Sequence, residues 1–281
     1  NSVLRPVCGL GIDYDIVEAD EYGYVNPQDI ESKIKSNTHL IVCTLASNVC
    51  GSVQPFEKIV RIAKKYNIPF LLDASQGAGV IKIDMQQTGI DMLAAPGHKG
   101  LYGPSGTGVL CINTDNLPDT LIEGGTGSRS KESVQPPELP DRYESGTLNV
   151  LGIAGLKEGI AFIEKIGTDG IFHHENKLSS MLAEDLSVIP GVRLAGYSAD
   201  RPRIGVVSAV IEGIDCISVA QQLNSEYGIA VRAGYHCAYT AHCSIGTGDI
   251  GTVRFSLGIY NTADEIKKTA YAVNRIAKQA R

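Results

Sequence analysis

Three short apolar runs, each breaking off into polar or glycine-rich residues, constrain this chain more than any other feature. His39-Leu-Ile-Val-Cys-Thr-Leu-Ala46, Ile68-Pro-Phe-Leu-Leu-Asp73 and Ile90-Asp-Met-Leu-Ala-Ala95 have the length and near-continuous hydrophobicity of parallel strands buried on both faces. Between the first two, Phe56, Ile59, Val60 and Ala63 fall at i, i+3, i+4 and i+7. Glu57, Lys58, Lys64 and Lys65 lie on the other side and Pro55 sits near the first turn, so the spacing predicts an amphipathic helix. Strand, helix and strand make a β-α-β unit. Open parallel sheets collect ligands beyond the carboxyl ends of their strands. The residues to examine first are therefore Asn48, Asp73 to Gln76, and His98-Lys99.

Further along, Thr107 to Ile112 reads as another strand after the turn-rich Gly100 to Gly106, and Glu123 to Pro140 as a long loop. Helical spacing returns from Gly152 to Ile166 and from Ile171 to Val188, two helices expected to bridge domains. After Pro190 the pattern is α+β: strands at Val192 to Leu194 and Gly205 to Ile211, a helix from Ile217 to Tyr227, strands at Ile229 to Arg232 and Thr252 to Leu257, and a closing helix from Ala263 to Ala280. The expected organisation is α/β: a large domain with a mostly parallel sheet over residues 1–165, then a linking helix and a smaller C-terminal α+β domain over 166–281.

Composition removes several function classes. The 25 basic and 31 acidic side chains leave a formal charge of -6 with no Lys/Arg block, which argues against nucleic acid as primary partner. No stretch approaches the roughly 18–20 apolar residues of a membrane span. The seven cysteines include no C-x-x-C, so neither a disulfide framework nor a zinc ribbon fits, and a reducing cytoplasm is expected. The chain opens on Asn1 without a signal-peptide pattern and is expected to start inside a longer protein.

Lys99 stands among Gly and Pro immediately after an apolar strand, where a lysine can be either solvated or held in a pocket as a Schiff-base amine. Asp73 ends an apolar run, where its carboxylate needs a cation or a hydrogen-bond donor; it suits an N-cap and a protonated pyridine nitrogen equally well. At neighbouring strand ends the two together suggest pyridoxal phosphate.

Six ordered motifs then resemble those of the cysteine desulfurases, a family of class V, fold type I pyridoxal-phosphate enzymes. They are Ser47-Asn-Val-Cys-Gly51, Asp73-Ala-Ser-Gln-Gly77, Pro96-Gly-His-Lys-Gly-Leu-Tyr-Gly-Pro104, Tyr143-Glu-Ser-Gly-Thr-Leu-Asn149, Arg232-Ala-Gly-Tyr-His-Cys-Ala238 and Val253-Arg-Phe-Ser-Leu257. The resemblance implies Lys99 as the Schiff-base lysine, Asp73 as partner of the pyridine nitrogen, and Gln76 and Asn48 near the phenolate oxygen. It implies His98 on the cofactor phosphate and Thr147 on the phosphate of the other subunit of a homodimer. Arg254 matches the arginine that grips the substrate carboxylate, a planar fork suited to two parallel bonds, and Arg232 a second position near substrate. Cys237 matches the persulfide-forming cysteine, with adjacent His236 and nearby Arg232 expected to favour the thiolate. Cys243 reads as an ordinary packed thiol.

The implied activity converts L-cysteine to L-alanine and passes sulfur to an acceptor protein for iron-sulfur cluster or thio-cofactor synthesis. The alternatives are a selenocysteine lyase, another class V aminotransferase or epimerase, and a non-catalytic scaffold of the same fold. Two residues depart from the family pattern: Pro96 stands where many desulfurases have a phosphate-binding serine, and Cys237 is followed by Ala-Tyr-Thr. The resemblance also implies a segment before Asn1, with a glycine-threonine phosphate loop and a histidine that stacks on the cofactor.

Overall fold

A computed structural model describes residues 1–281. In chain order the elements are α1 (Leu4–Gly9), α2 (Pro27–Ser32), β1 (Ile41–Thr44), α3 (Phe56–Lys65), β2 (Phe70–Asp73), α4 (Met85–Thr88), β3 (Met92–Pro96), β4 (Gly108–Ile112), α5 (Val150–Ile166), α6 (Thr168–Ser187), β5 (Val192–Leu194), β6 (Val206–Ile211), α7 (Cys216–Tyr227), β7 (Arg232–Gly234), α8 (Tyr239–Ser244), β8 (Thr252–Ser256) and α9 (Ala263–Gln279).

The first four strands make one sheet in sequence order. β1, β2 and β3 run parallel, so their carboxyl ends open on one edge, while β4 returns antiparallel on β3. The short glycine-rich link between β3 and β4 is too brief for the crossover that a parallel return needs. All four apolar positions read for α3 are buried: Phe56, Ile59, Val60 and Ala63. Burying each of the three larger ones stabilises the sheet face by roughly 1.5–3 kcal/mol. From Asn113 to Asn149 the chain has no helix or strand, a longer irregular stretch than the 123–140 the sequence suggests.

The second sheet, ordered β5-β6-β8-β7, is antiparallel throughout. Leu182 and Leu186 of α6, Leu223 of α7, and Val273 and Ile276 of α9 pack with Val207 of β6 into its core. α9 begins in a capping box formed by Thr262 and Glu265. α6 starts at Thr168, three residues before the periodicity suggests, because Gly167 at φ 84 ends α5 and opens α6 at once. The strand expected at Ile229 to Arg232 lies instead at Arg232–Gly234: Gly228 closes α7 in the left-handed conformation, and Ile229 N still donates to Leu223 O.

The two sheets meet through Ala46, Val80, Ile163, Ile171, Ile204 and Val206. α6 serves both, with Ile171 in this junction and Leu178 onward in the second core. Also at the junction is Glu175, buried against Gly205, its carboxyl pushed up to about 7 by desolvation.

Candidate active site

The carboxyl edge of the parallel sheet carries one side of the site. Asn48 follows β1, Asp73 closes β2, and Lys99 lies in the turn after β3. Asp73 Oδ1 accepts from Ser75 N at 2.9 Å, so one carboxylate oxygen stabilises a turn, without a following helix to cap. The turns after β2 and β3 touch backbone to backbone. A Cβ on Gly79 would stand 2.0 Å from Gly100 O, and one on Gly100 would stand 2.3 Å from Ala78 O. Only paired glycines permit that approach, and it brings the Asp73 and Lys99 turns together. Lys99 is exposed on this open edge; partial desolvation lowers its pKa, Asp73 opposes that drop, and Arg254 and Arg232 add to it.

The antiparallel sheet supplies the other side. Arg232 on β7 and Arg254 on β8 are register partners. Like charges directly opposite one another across strands destabilise a sheet. Neither guanidinium is ion-paired with an acidic side chain. β8 lies between β6 and β7, so Arg254 is on an interior strand rather than a solvated sheet edge. Burial lowers the Arg254 pKa and Arg232 lowers it further, while its buried Nε lacks a partner. Two unneutralised guanidinium groups in register are chemically suited to a small carboxylate.

Cys237 is exposed, and Arg232 Nη2 lies 3.4 Å from its sulfur. The neighbouring histidine does not act as the sequence suggests. His236 is 2% exposed, its Nε2 is hydrogen-bonded to Thr252 Oγ1 at 2.9 Å, and its pKa is pushed down to about 3, chiefly by burial and then by Arg254, His242 and Arg232. A neutral imidazole contributes no positive charge to the sulfur, so Arg232 alone of the two expected groups does so.

The two sides are joined directly. Asn48 Nδ2 donates to His236 O at 2.5 Å, and Arg254 Nη1 donates to Asn48 O at 2.9 Å. Lys99, Asp73, Asn48, Arg232, Arg254 and Cys237 thus form one cluster linked by hydrogen bonds and charge. Gln76 is half-buried in the Asp73 turn and His98 is exposed beside Lys99. Thr147 is exposed at the end of the irregular stretch before α5 and makes no side-chain hydrogen bond to the cluster. Thr252 is the residue the sequence reading passes over. The signal was present in Thr252-Val-Arg-Phe-Ser256, whose alternation puts Thr252 on the same strand face as Arg254, with Val253 and Phe255 in the core.

Known proteins resemble this chain over most of its length. The family model for aminotransferase class-V matches residues 7–269. A probable cysteine desulfurase from Methanothermobacter thermautotrophicus is 36% identical over 272 residues, covering 95% of this chain and 68% of that protein. A cysteine desulfurase from Synechococcus elongatus is 34% identical and covers 93% of this chain, which spans 41% of its length. The apo structure of a cysteine desulfurase from Thermococcus onnurineus NA1 superposes with a TM-score of 0.87 at 32% identity, covering 98% of this chain and 69% of that one. The chain belongs to the aminotransferase class-V family, and within it to the cysteine desulfurases.

Proposed function

We propose that this chain carries the greater part of the active site of a pyridoxal-phosphate-dependent cysteine desulfurase. The observation that carries the reading is the placement of Cys237 beside the opposed Arg232 and Arg254, facing Lys99 and Asp73 across one cluster. A plain aminotransferase has no use for an exposed thiol there.

The residues fit the cofactor. The glycine-mediated contact of the two turns holds Asp73 and Lys99 at one edge, and Asp73 keeps Oδ2 free of protein hydrogen bonds while Oδ1 holds the turn. Asp73 would hold the protonated pyridine nitrogen, Lys99 would anchor the cofactor covalently, and Asn48 and Gln76 would lie near the phenolate oxygen. His98 would meet the phosphate, and Thr147 the phosphate in a second subunit. When bound, pyridoxal phosphate supplies an electron sink for charge developing at the substrate α-carbon.

The chain's own residues do the rest. Arg254, seconded by Arg232, holds the carboxylate of L-cysteine and so turns the substrate sulfur toward Cys237. Lys99 Nζ, its pKa lowered, removes the α-proton and returns protons to the carbon skeleton. Cys237 Sγ attacks the substrate sulfur: an S–S bond forms, the C–S bond breaks, and the skeleton leaves as L-alanine. The persulfide on Cys237 then passes to an acceptor protein, with iron-sulfur cluster assembly as the destination we favour.

The same proposal divides the chain into residues 1–165 and 166–281, and places it in a homodimer in the cytoplasm. Leu121 and Leu151, 95% and 88% exposed, with Ile122 and Val150, give the irregular stretch and the start of α5 an apolar surface suited to a second copy. No helix is long and apolar enough to cross a membrane.

The test is an absorbance spectrum of the full-length protein between roughly 320 and 430 nm, with alanine and sulfide assays after L-cysteine addition. Wild type should show the cofactor band, Lys99→Ala should lose its covalent form, and Cys237→Ser should keep the band while sulfide release falls about a thousandfold. Undiminished desulfuration by Cys237→Ser, or transamination without sulfide from wild type, would overturn the reading.

A further inference from the structure

His236 and Cys237 are consecutive non-glycine residues at positive φ, 51 and 62 degrees. L side chains avoid that region, and two in succession persist only where their surroundings over-determine them. Glycine, the residue that would remove the strain, is absent from both positions although Gly234 stands two residues before His236. The turn that presents the thiol is therefore held in shape by something other than its own preferences.

The holding contacts can be named. His236 is a buried peg. Its backbone carbonyl accepts from Asn48 Nδ2 of the first sheet's edge, and its ring is hydrogen-bonded to Thr252 Oγ1 on β8. Two residues further along β8, Arg254 donates to Asn48 O. His236, Asn48, Arg254 and Thr252 thus close a ring of contacts that spans both sheets. Behind it, His242 of α8 is fully buried, with its ring 5.5 Å from that of His236, and is hydrogen-bonded to Thr247 Oγ1 at 2.7 Å. A second histidine fixed by a second threonine backs the first.

We infer that His236, locked by Thr252, is a positioning residue: it sets the distance between the Cys237 thiol and the carboxylate-binding Arg254, and so the efficiency of the sulfur-transfer step. The inference rests on the desulfurase reading for its kinetic consequence, though the geometry of the turn stands apart from it. His236 touches neither substrate nor cofactor in this role. Its peptide, at a strained αL position, carries the thiol, and its ring stops that peptide from relaxing.

Thr252→Val keeps the branched shape of the threonine and exchanges the hydroxyl for a methyl group, leaving the His236 ring without its hydrogen-bond partner. In the full-length holoenzyme this variant should lower kcat for alanine formation about tenfold while KM for L-cysteine stays within about twofold, with the cofactor spectrum unchanged. Thr252→Ser, which keeps the hydroxyl, should recover most of the loss. A second readout does not depend on turnover: iodoacetamide labelling followed by peptide mass spectrometry should show Cys237 alkylated about threefold faster in Thr252→Val, and Cys243, which is exposed and not packed as the sequence suggests, at its wild-type rate. A Thr252→Val enzyme with wild-type kcat and wild-type Cys237 labelling would overturn the inference. So would equal acceleration at Cys237 and Cys243, or loss of the cofactor band, either of which means a general loosening. Should wild type release no sulfide at all, the desulfurase reading fails by itself, and the labelling comparison still decides whether Thr252 holds the turn.

Discussion

The two sides of the site are rigid for different reasons. Around Lys99 and Asp73 the chain is fixed by backbone against backbone, with Gly79 and Gly100 admitting a contact that no side chain would permit. Around Cys237 and Arg254 it is fixed by side chains, through Asn48, His236 and Thr252. A contact between main chains tolerates almost no substitution but asks little of residue identity elsewhere. A lattice of side-chain hydrogen bonds can be weakened one bond at a time. The difference implies that the Lys99 side should fail by misfolding locally and the thiol side by losing rate.

Gly79→Ala breaks the first kind of contact and should have the largest effect. Its Cβ would meet Gly100 O at 2.0 Å with φ at +83, so backbone must move, at a cost of about 3 kcal/mol or more. Denaturant melts should show the loss, with cofactor affinity falling in parallel. An alanine tolerated with less than about 1 kcal/mol would show that the turns are held otherwise.

An intermediate effect should come from the junction between the sides. Burial raises the Glu175 carboxyl from 4.5 to about 7, so the folded state binds this proton more tightly than the unfolded one. Its stabilising contribution is complete below about pH 4.5 and is lost as pH rises through about 7, roughly 3 kcal/mol at most. Glu175→Gln should flatten that slope in thermal melts taken across the same window and leave the variant more stable than wild type above pH 7. The same slope in both proteins would mean that Glu175 finds charge compensation in solution.

The smallest of the three effects belongs to the side-chain lattice. Arg254→Lys keeps the charge but gives up the planar fork that reaches Asn48, and should raise KM for L-cysteine about tenfold, near 1.4 kcal/mol, with the cofactor retained. Steady-state kinetics beside a cofactor spectrum would check it. If the cofactor were lost as well, the two sides would be less separable than their contacts suggest.

Much of this was legible along the chain because it is local. The Phe56 to Ala63 spacing dictates a buried helical face whatever it packs on, and apolar runs ending at Asp73 and before Lys99 lead to a shared strand edge once the sheet is parallel. Lys99, Asp73 and Cys237 were singled out by the residues beside them, and the structure brings all three into one cluster. What sequence could not state depends on pairing between distant segments. Arg232 and Arg254 are 22 positions apart, and only the β7-β8 register sets them face to face; Asn48 reaches His236 across 188 positions. His236 is the sharpest case. Adjacency to Cys237 suggested a charged partner for sulfur, whereas burial makes the imidazole neutral and gives it a holding role. Periodicity and motif determined the fold and pointed to the candidate reactive groups, because helical and strand patterns and the chemistry of a side chain are properties of short stretches. Tertiary structure decided which groups are charged, paired and strained, because solvent exclusion and long-range register arise only when the two sheets meet.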